Sequence, residues 1–288
     1  MFRKTYQTSL KTIIRSPLVW GAIVLVLAVG IFHQLQVHYT YFDPSSLKSY
    51  ADTDPEFNMS FKMYINEVLN TPLGMALMLF SVPAFCVIVS GVVLVRDWRD
   101  GFFEVDRAGG VSARKYFFGR YFAVLSFVAI VALAADFIFF HSFFIARKGV
   151  ESWDLWRYLT DSTVRILRVF FTSVLPGIFI FVSVPFLFGN LMKSGVAGMI
   201  SGLSYVVFAF ALRSYLGFRA PDFVKNYLFP APNNLYQYWA FYGTDRFYDK
   251  IMCNPLSTGE MLACILSLYA TAAVCAAVSF ICVKRRKV

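Results

Sequence analysis

Five stretches of this chain contain no Asp, Glu, Lys or Arg at all: 16–42, 68–95, 169–192, 194–212 and 261–283. A sixth, 121–146, is interrupted only by Asp136. Each is long enough to supply the ~20 apolar residues with which a helix crosses a hydrocarbon core, and a chain with this many cannot hide them in a soluble fold. Composition agrees: 58% of residues are hydrophobic and 15% charged, with a mean hydropathy of +0.59. A soluble domain carries roughly 25% charge. The pattern predicts an all-α polytopic membrane protein. It has one transmembrane domain over 1–288, with spans near 17–37, 70–95, 120–145, 168–190, 194–215 and 260–283.

Six spans put both termini on one side, and the basic residues say which. With the N-terminus inside, the inner pieces hold Arg3, Lys4, Lys11 and Arg15, six bases in the first inner loop, Lys193, and the tail from Lys284 to Lys287. The remaining bases lie in longer outer loops and are matched there by acids. The density predicts N-in, C-in. The net charge of +10 is therefore a topology signal and not the footprint of a nucleic-acid partner. Four of the five cysteines (Cys86, Cys264, Cys275 and Cys282) fall inside apolar runs and Cys253 in a polar loop, which argues against a disulfide framework.

Residues 1–16 have a basic start but no small-residue cleavage site after the first apolar run, so they are not read as a signal peptide. Phe2, Tyr6, Leu10 and Ile14 recur every four residues beside a stripe of Arg3, Lys11 and Arg15. That pattern predicts an amphipathic helix in the cytoplasmic interface, ended at Ser16-Pro17. The outer segment 218–258 is dense in aromatics, as interfacial helices or an aromatic belt would be.

No HExxH, His/Cys ligand cluster or G-x-S-x-G is present. "GNLMKSG" at 189–195 has Met192 where a phosphate loop needs glycine, and it joins two spans. Neither a resident cofactor nor a metal is expected. Asp136 lies sixteen residues beyond Arg120, about 24 Å along a helix, which puts it near the outer end of its span. With Arg165, Arg168 and Arg213 it is a candidate for substrate or lipid-headgroup contact. Gly198 and Gly202 give the fifth span a smooth face for a helix of this chain or of another.

The charge excluded from the spans gathers in "RDWRDGFFEVDRAGGVSARKYFFGR", 96–120. Wound as one helix over 96–107, it puts Trp98, Phe102 and Val105 on an apolar ridge. Asp97, Asp100 and Glu104 form one flank; Arg96, Arg99 and Arg107 form the other, with Asp106 among them. Gly109-Gly110 then ends the helix, and Ser112 can cap the next. Such a ridge suits docking on another protein.

The loop resembles the one between the second and third spans of ABC-2-type transporter permeases. The matching positions are Asp97, Gly101, Glu104, Gly110, Ser112, Gly119 and Arg120, with glycine in place of the usual proline at 110 and arginine in place of lysine at 120. The resemblance extends to the interfacial helix, the six spans and the long outer segment. It implies a bacterial cytoplasmic-membrane exporter subunit that is not itself an enzyme. The 96–119 loop would be a coupling helix, with Asp97, Trp98, Gly101, Phe102, Glu104, Val105 and Arg107 meeting an ATPase subunit, and Gly110, Ser112, Gly119 and Arg120 forming the hinge and re-entry. Two ATPase copies would carry ATP and Mg, beside a second permease and the membrane lipids. The competing readings are a secondary transporter using Asp136, and a non-transporting membrane assembly or immunity protein on the same scaffold.

Overall fold

The computed structural model describes residues 2–28, 81–146, 163, 167, 170–216 and 258–286. Among them every regular element is helical: α1 (Phe2–Arg15), α2 (Pro17–Ala28), α3 (Val82–Arg99), α4 (Phe102–Ala108), α5 (Ala113–Ala146), α6 (Leu175–Met192), α7 (Gly195–Leu216) and α8 (Thr258–Arg285). A π-helical turn at Phe170–Val174 leads into α6. Three helices are long and apolar enough to cross a membrane, within α5, α6 and α8, and α1 with α2 makes a fourth if that pair, bent by 65°, is one broken span. The far end of the first span, the start of the second, and the outer segment 218–258 up to α8 lie outside the described residues.

The centre of the bundle is α6, against which α3, α5, α7 and α8 all pack. Its sequence is apolar on every side, and such a helix is stable only when surrounded. Ile178, Ile180, Val182, Val184 and Phe186 are buried accordingly. The helix continues through Pro185 instead of breaking there. The glycine face of α7 explains how neighbours come so close. A Cβ on Gly198 would stand 2.7 Å from the Pro185 carbonyl oxygen, and one on Gly202 would stand 2.7 Å from the Pro185 ring. The small-residue pair thus meets α3 and α6 of its own chain.

Helix α1 buries Thr5, Ser9 and Ile13 most deeply, and of the stripe Phe2, Tyr6, Leu10 and Ile14 only Tyr6 and Leu10 are half-buried beside them. Small hydroxyl residues permit contact at Gly119 of α5, where an added Cβ would stand 3.0 Å from Thr5 Cβ. Tyr6 Oη and Ser126 Oγ are hydrogen-bonded at 2.7 Å. Phe2 and Ile14 remain exposed.

One end of the bundle gathers the polar connections. Arg96 Nη1 donates to Thr12 Oγ1, joining α3 to α1. Gly195 lies against the backbone of Val95. Arg286, just past α8, donates to the carbonyls of Asn190 and Leu191, the latter at 3.3 Å. Thus α1, the 96–112 connection, the α6–α7 turn and the end of α8 share this end.

Candidate functional site: the 96–120 connection

This connection is two helices. Helix α3 ends at Arg99, Gly101 takes a left-handed φ of +68°, and α4 starts at Phe102. Glycine adopts that conformation at no steric cost, whereas an L side chain does not. The continuous winding over 96–107 is thereby corrected, and with it the ridge. Inside the turn sits Phe103, buried, with its ring centroid 4.8 Å from Trp98 and edge-on to Tyr116 at 5.2 Å. Phe102 is half-buried beneath the Arg96 guanidinium, 3.9 Å from the ring centroid. Val105 is 66% exposed, and Glu104 beside it is exposed too. Trp98, Phe102 and Val105 therefore do three different things.

Asp97 does not stand on an acidic flank. It is 2% exposed and ion-paired to Arg120 of α5, itself 3% exposed. The second nitrogen of that guanidinium reaches Asp106 Oδ2 of α4 at 3.0 Å. Its plane lies over the Tyr116 ring, 4.3 Å from the centroid. One arginine thus ties α3, α4 and α5 together. Burial lifts the Asp97 carboxyl to about 6, although Arg120 pulls the other way.

The exit from α4 is closed by backbone bonds: Gly109 N donates to Val105 O at 2.9 Å, Gly110 N to Arg107 O at 3.1 Å, and Val111 N to Asp106 O at 3.0 Å. Gly110 takes φ +82°. Arg107 Nη1 donates to Val111 O at 2.9 Å, which spends its side chain inside the turn. Ser112 caps α5, its Oγ accepting from Lys115 N at 3.4 Å and its carbonyl from Tyr116 N at 3.0 Å. Gly119 is the contact point for α1, as described above.

Beneath the connection the guanidinium of Arg286 lies over the Trp98 ring, 4.4 Å from its centroid. The carbonyls of Asn190 and Leu191 that it binds are end carbonyls of α6, which have no partner within their own helix. Asn190 Nδ2 donates to Ser279 Oγ at 2.9 Å, and Ser279 Oγ to Phe186 O at 2.9 Å, locking α6 to α8. Sequence reasoning missed Phe103, Arg286 and Asn190. It also missed the Asp97–Arg120 pair, although a signal existed: an acid ending one apolar run and a base starting the next stand at similar depth on antiparallel helices.

The remaining candidates are not brought to this site. Asp136 falls on α5 and Arg213 on α7, with side chains outside the described residues, as are Arg165 and Arg168 entirely. Among the described residues no three His, Cys, Asp or Glu side chains converge as metal ligands would. The arrangement has the chemistry of a strut: an exposed tip at Glu104 and Val105, rooted by a buried Asp97–Arg120 pair that reaches the half-buried Asp106, and by an aromatic stack. A scan against protein-family models found no match, and a search of curated proteins found none either.

Proposed function

We propose that this chain is the transmembrane subunit of an ATP-driven exporter of the ABC-2 permease type. It crosses the cytoplasmic membrane of a bacterium six times with both termini inside, and it pairs with a second permease, identical or related. Two separate ATPase subunits carry ATP and Mg and dock on the 96–119 loop, so this chain does no covalent chemistry itself. The observation that carries the reading is the root of α4. A push on an isolated surface helix would be lost in bending. A push on α4 passes through Arg120 to α3 and α5 together, because that guanidinium bonds Asp97 and Asp106 at once. Packed elements joined in this way move as rigid bodies.

The docking face is accordingly narrower than the sequence suggested. Glu104 and Val105 form its tip with the exposed Arg99 and Asp100 alongside, while Asp97, Trp98, Phe103 and Arg107 hold it from below. The gathering of α1, this loop, the α6–α7 turn and the basic end of α8 at one end supports the inner assignment of that end. The test is purification from the native membrane in mild detergent, followed by assay of the eluate for ATP hydrolysis. Hydrolysis co-purifies with the wild-type chain and is lost from V105D/E104K while the chain stays folded. An eluate without hydrolysis from wild type would overturn the reading.

A further inference from the structure

Helix α1 packs against the bundle through one face only. At about 100° per residue, Thr5, Ser9 and Ile13 share an arc, and Arg3, Lys4, Gln7, Lys11 and Arg15 cover the opposite one. All five of the latter are exposed. The helix contains no acid, and none of its four cations makes an ion pair among the described residues. Unpaired charge on a docked helix needs another explanation than support of the fold.

Exposed apolar side chains lie at both ends of the helix: Phe2 at its start, on the inward arc, and Ile14 at its end, among the cations, with Leu18 and Trp20 on α2 just beyond the bend. Trp20 Nε1 donates to Ile14 O at 2.7 Å, so the bend satisfies one end carbonyl of α1 and fixes the ring at the junction. The 65° bend lays α1 well away from the direction of α2. If α2 enters the bilayer, α1 lies near the plane of the surface there. A polyanion in solution would satisfy the cations but leave Phe2 and Ile14 in water. An anionic bilayer surface takes both.

We infer that the outer face of α1 binds anionic lipid headgroups in the leaflet where α2 enters, through Arg3, Lys4, Lys11 and Arg15. This rests on α2 entering a membrane and is independent of any ATPase partner. Each base held at an anionic surface contributes roughly 1 kcal/mol, about fivefold, so removing all four weakens the preference on the order of a hundredfold or more.

The experiment uses the full-length chain in neutral detergent, titrated with phosphatidylglycerol or phosphatidylcholine while thermal unfolding is followed. Phosphatidylglycerol stabilises the wild type at much lower concentration than phosphatidylcholine does, and inorganic phosphate does not substitute. R3Q/K4Q/K11Q/R15Q loses the preference. If that variant does not fold, the wild type still decides, because raised salt must weaken its phosphatidylglycerol response. Equal responses to the two lipids would overturn the inference, as would a response to phosphatidylglycerol that ignores salt. So would stabilisation by phosphate or soluble nucleic acid but not by phosphatidylglycerol.

Discussion

Replacing Arg120 by glutamine removes the charged group that ties α3, α4 and α5 together, and leaves the Trp98–Phe103–Tyr116 stack as their other link. The two carboxylates it leaves are not equivalent. Asp97 is sealed in the bundle at 2% exposure, whereas the Asp106 side chain is 31% exposed and can turn to water. Breaking a buried pair from one side costs about 3–5 kcal/mol, and nearly all of that should come from Asp97. The loss of the Asp106 partner should account for about 1 kcal/mol or less, the range of an exposed pair. Because burial already lifts the Asp97 carboxyl to about 6, the carboxylate stranded in R120Q can escape by taking up a proton. The penalty therefore shrinks as the pH falls below neutrality. The double variant D97N/R120Q strands no charge and should recover about 2 kcal/mol of the loss. Denaturant unfolding in detergent compares both variants with wild type, read by a thiol-reactive dye that reaches the buried Cys86 only on opening, in a background with the other four cysteines replaced. R120Q as stable as wild type, or D97N/R120Q no better than R120Q, would refute the reasoning.

Wild-type stability should carry the signature of Asp97 as well. A carboxyl raised from 3.8 to about 6 on folding contributes stability that is complete below about 3.8 and is lost as the pH rises through about 6. Unfolding curves across that window should show this slope in wild type and its absence in D97N. In the interior, Gly198→Ala forces a Cβ to 2.7 Å from a backbone oxygen and should cost about 1–3 kcal/mol in the same unfolding assay. Gly21→Ala, with nothing within 4 Å, should cost no stability. Arg286→Met leaves the end carbonyls of α6 unsatisfied and removes the cation from Trp98, for a loss of about 1–2 kcal/mol. Hydrogen exchange at amides 189–195 should quicken in that variant.

Helical secondary structure was legible because a charge-free run leaves the backbone no solvent partner in a membrane, and α5, α6 and α8 follow those runs. The turn chemistry at Gly109, Gly110 and Ser112 was legible for a similar reason, since those residue types suit few other backbone conformations. The site itself was harder. Gly101 looked like any residue of an amphipathic helix until its φ of +68° redirected the chain and exchanged Phe102 for Phe103 on the inner side. Charge misled in the same place: Asp97 and Arg120, twenty-three positions apart, read as a docking flank and a re-entry position, and only the antiparallel packing of α3 on α5 joins them. The inward face of α1 was missed because Thr5 and Ser9 are small hydroxyl residues and not apolar ones; Thr5 packs against Gly119.

The proposal that α4 presents Val105 to a separate ATPase subunit can be tested with a photo-crosslinking amino acid at position 105, activated in intact native membranes. A crosslink to a second chain that bears a Walker A phosphate loop is expected, with only intramolecular products when the same group replaces the buried Phe103. Crosslinks from position 105 solely to lipid or to this chain would contradict it.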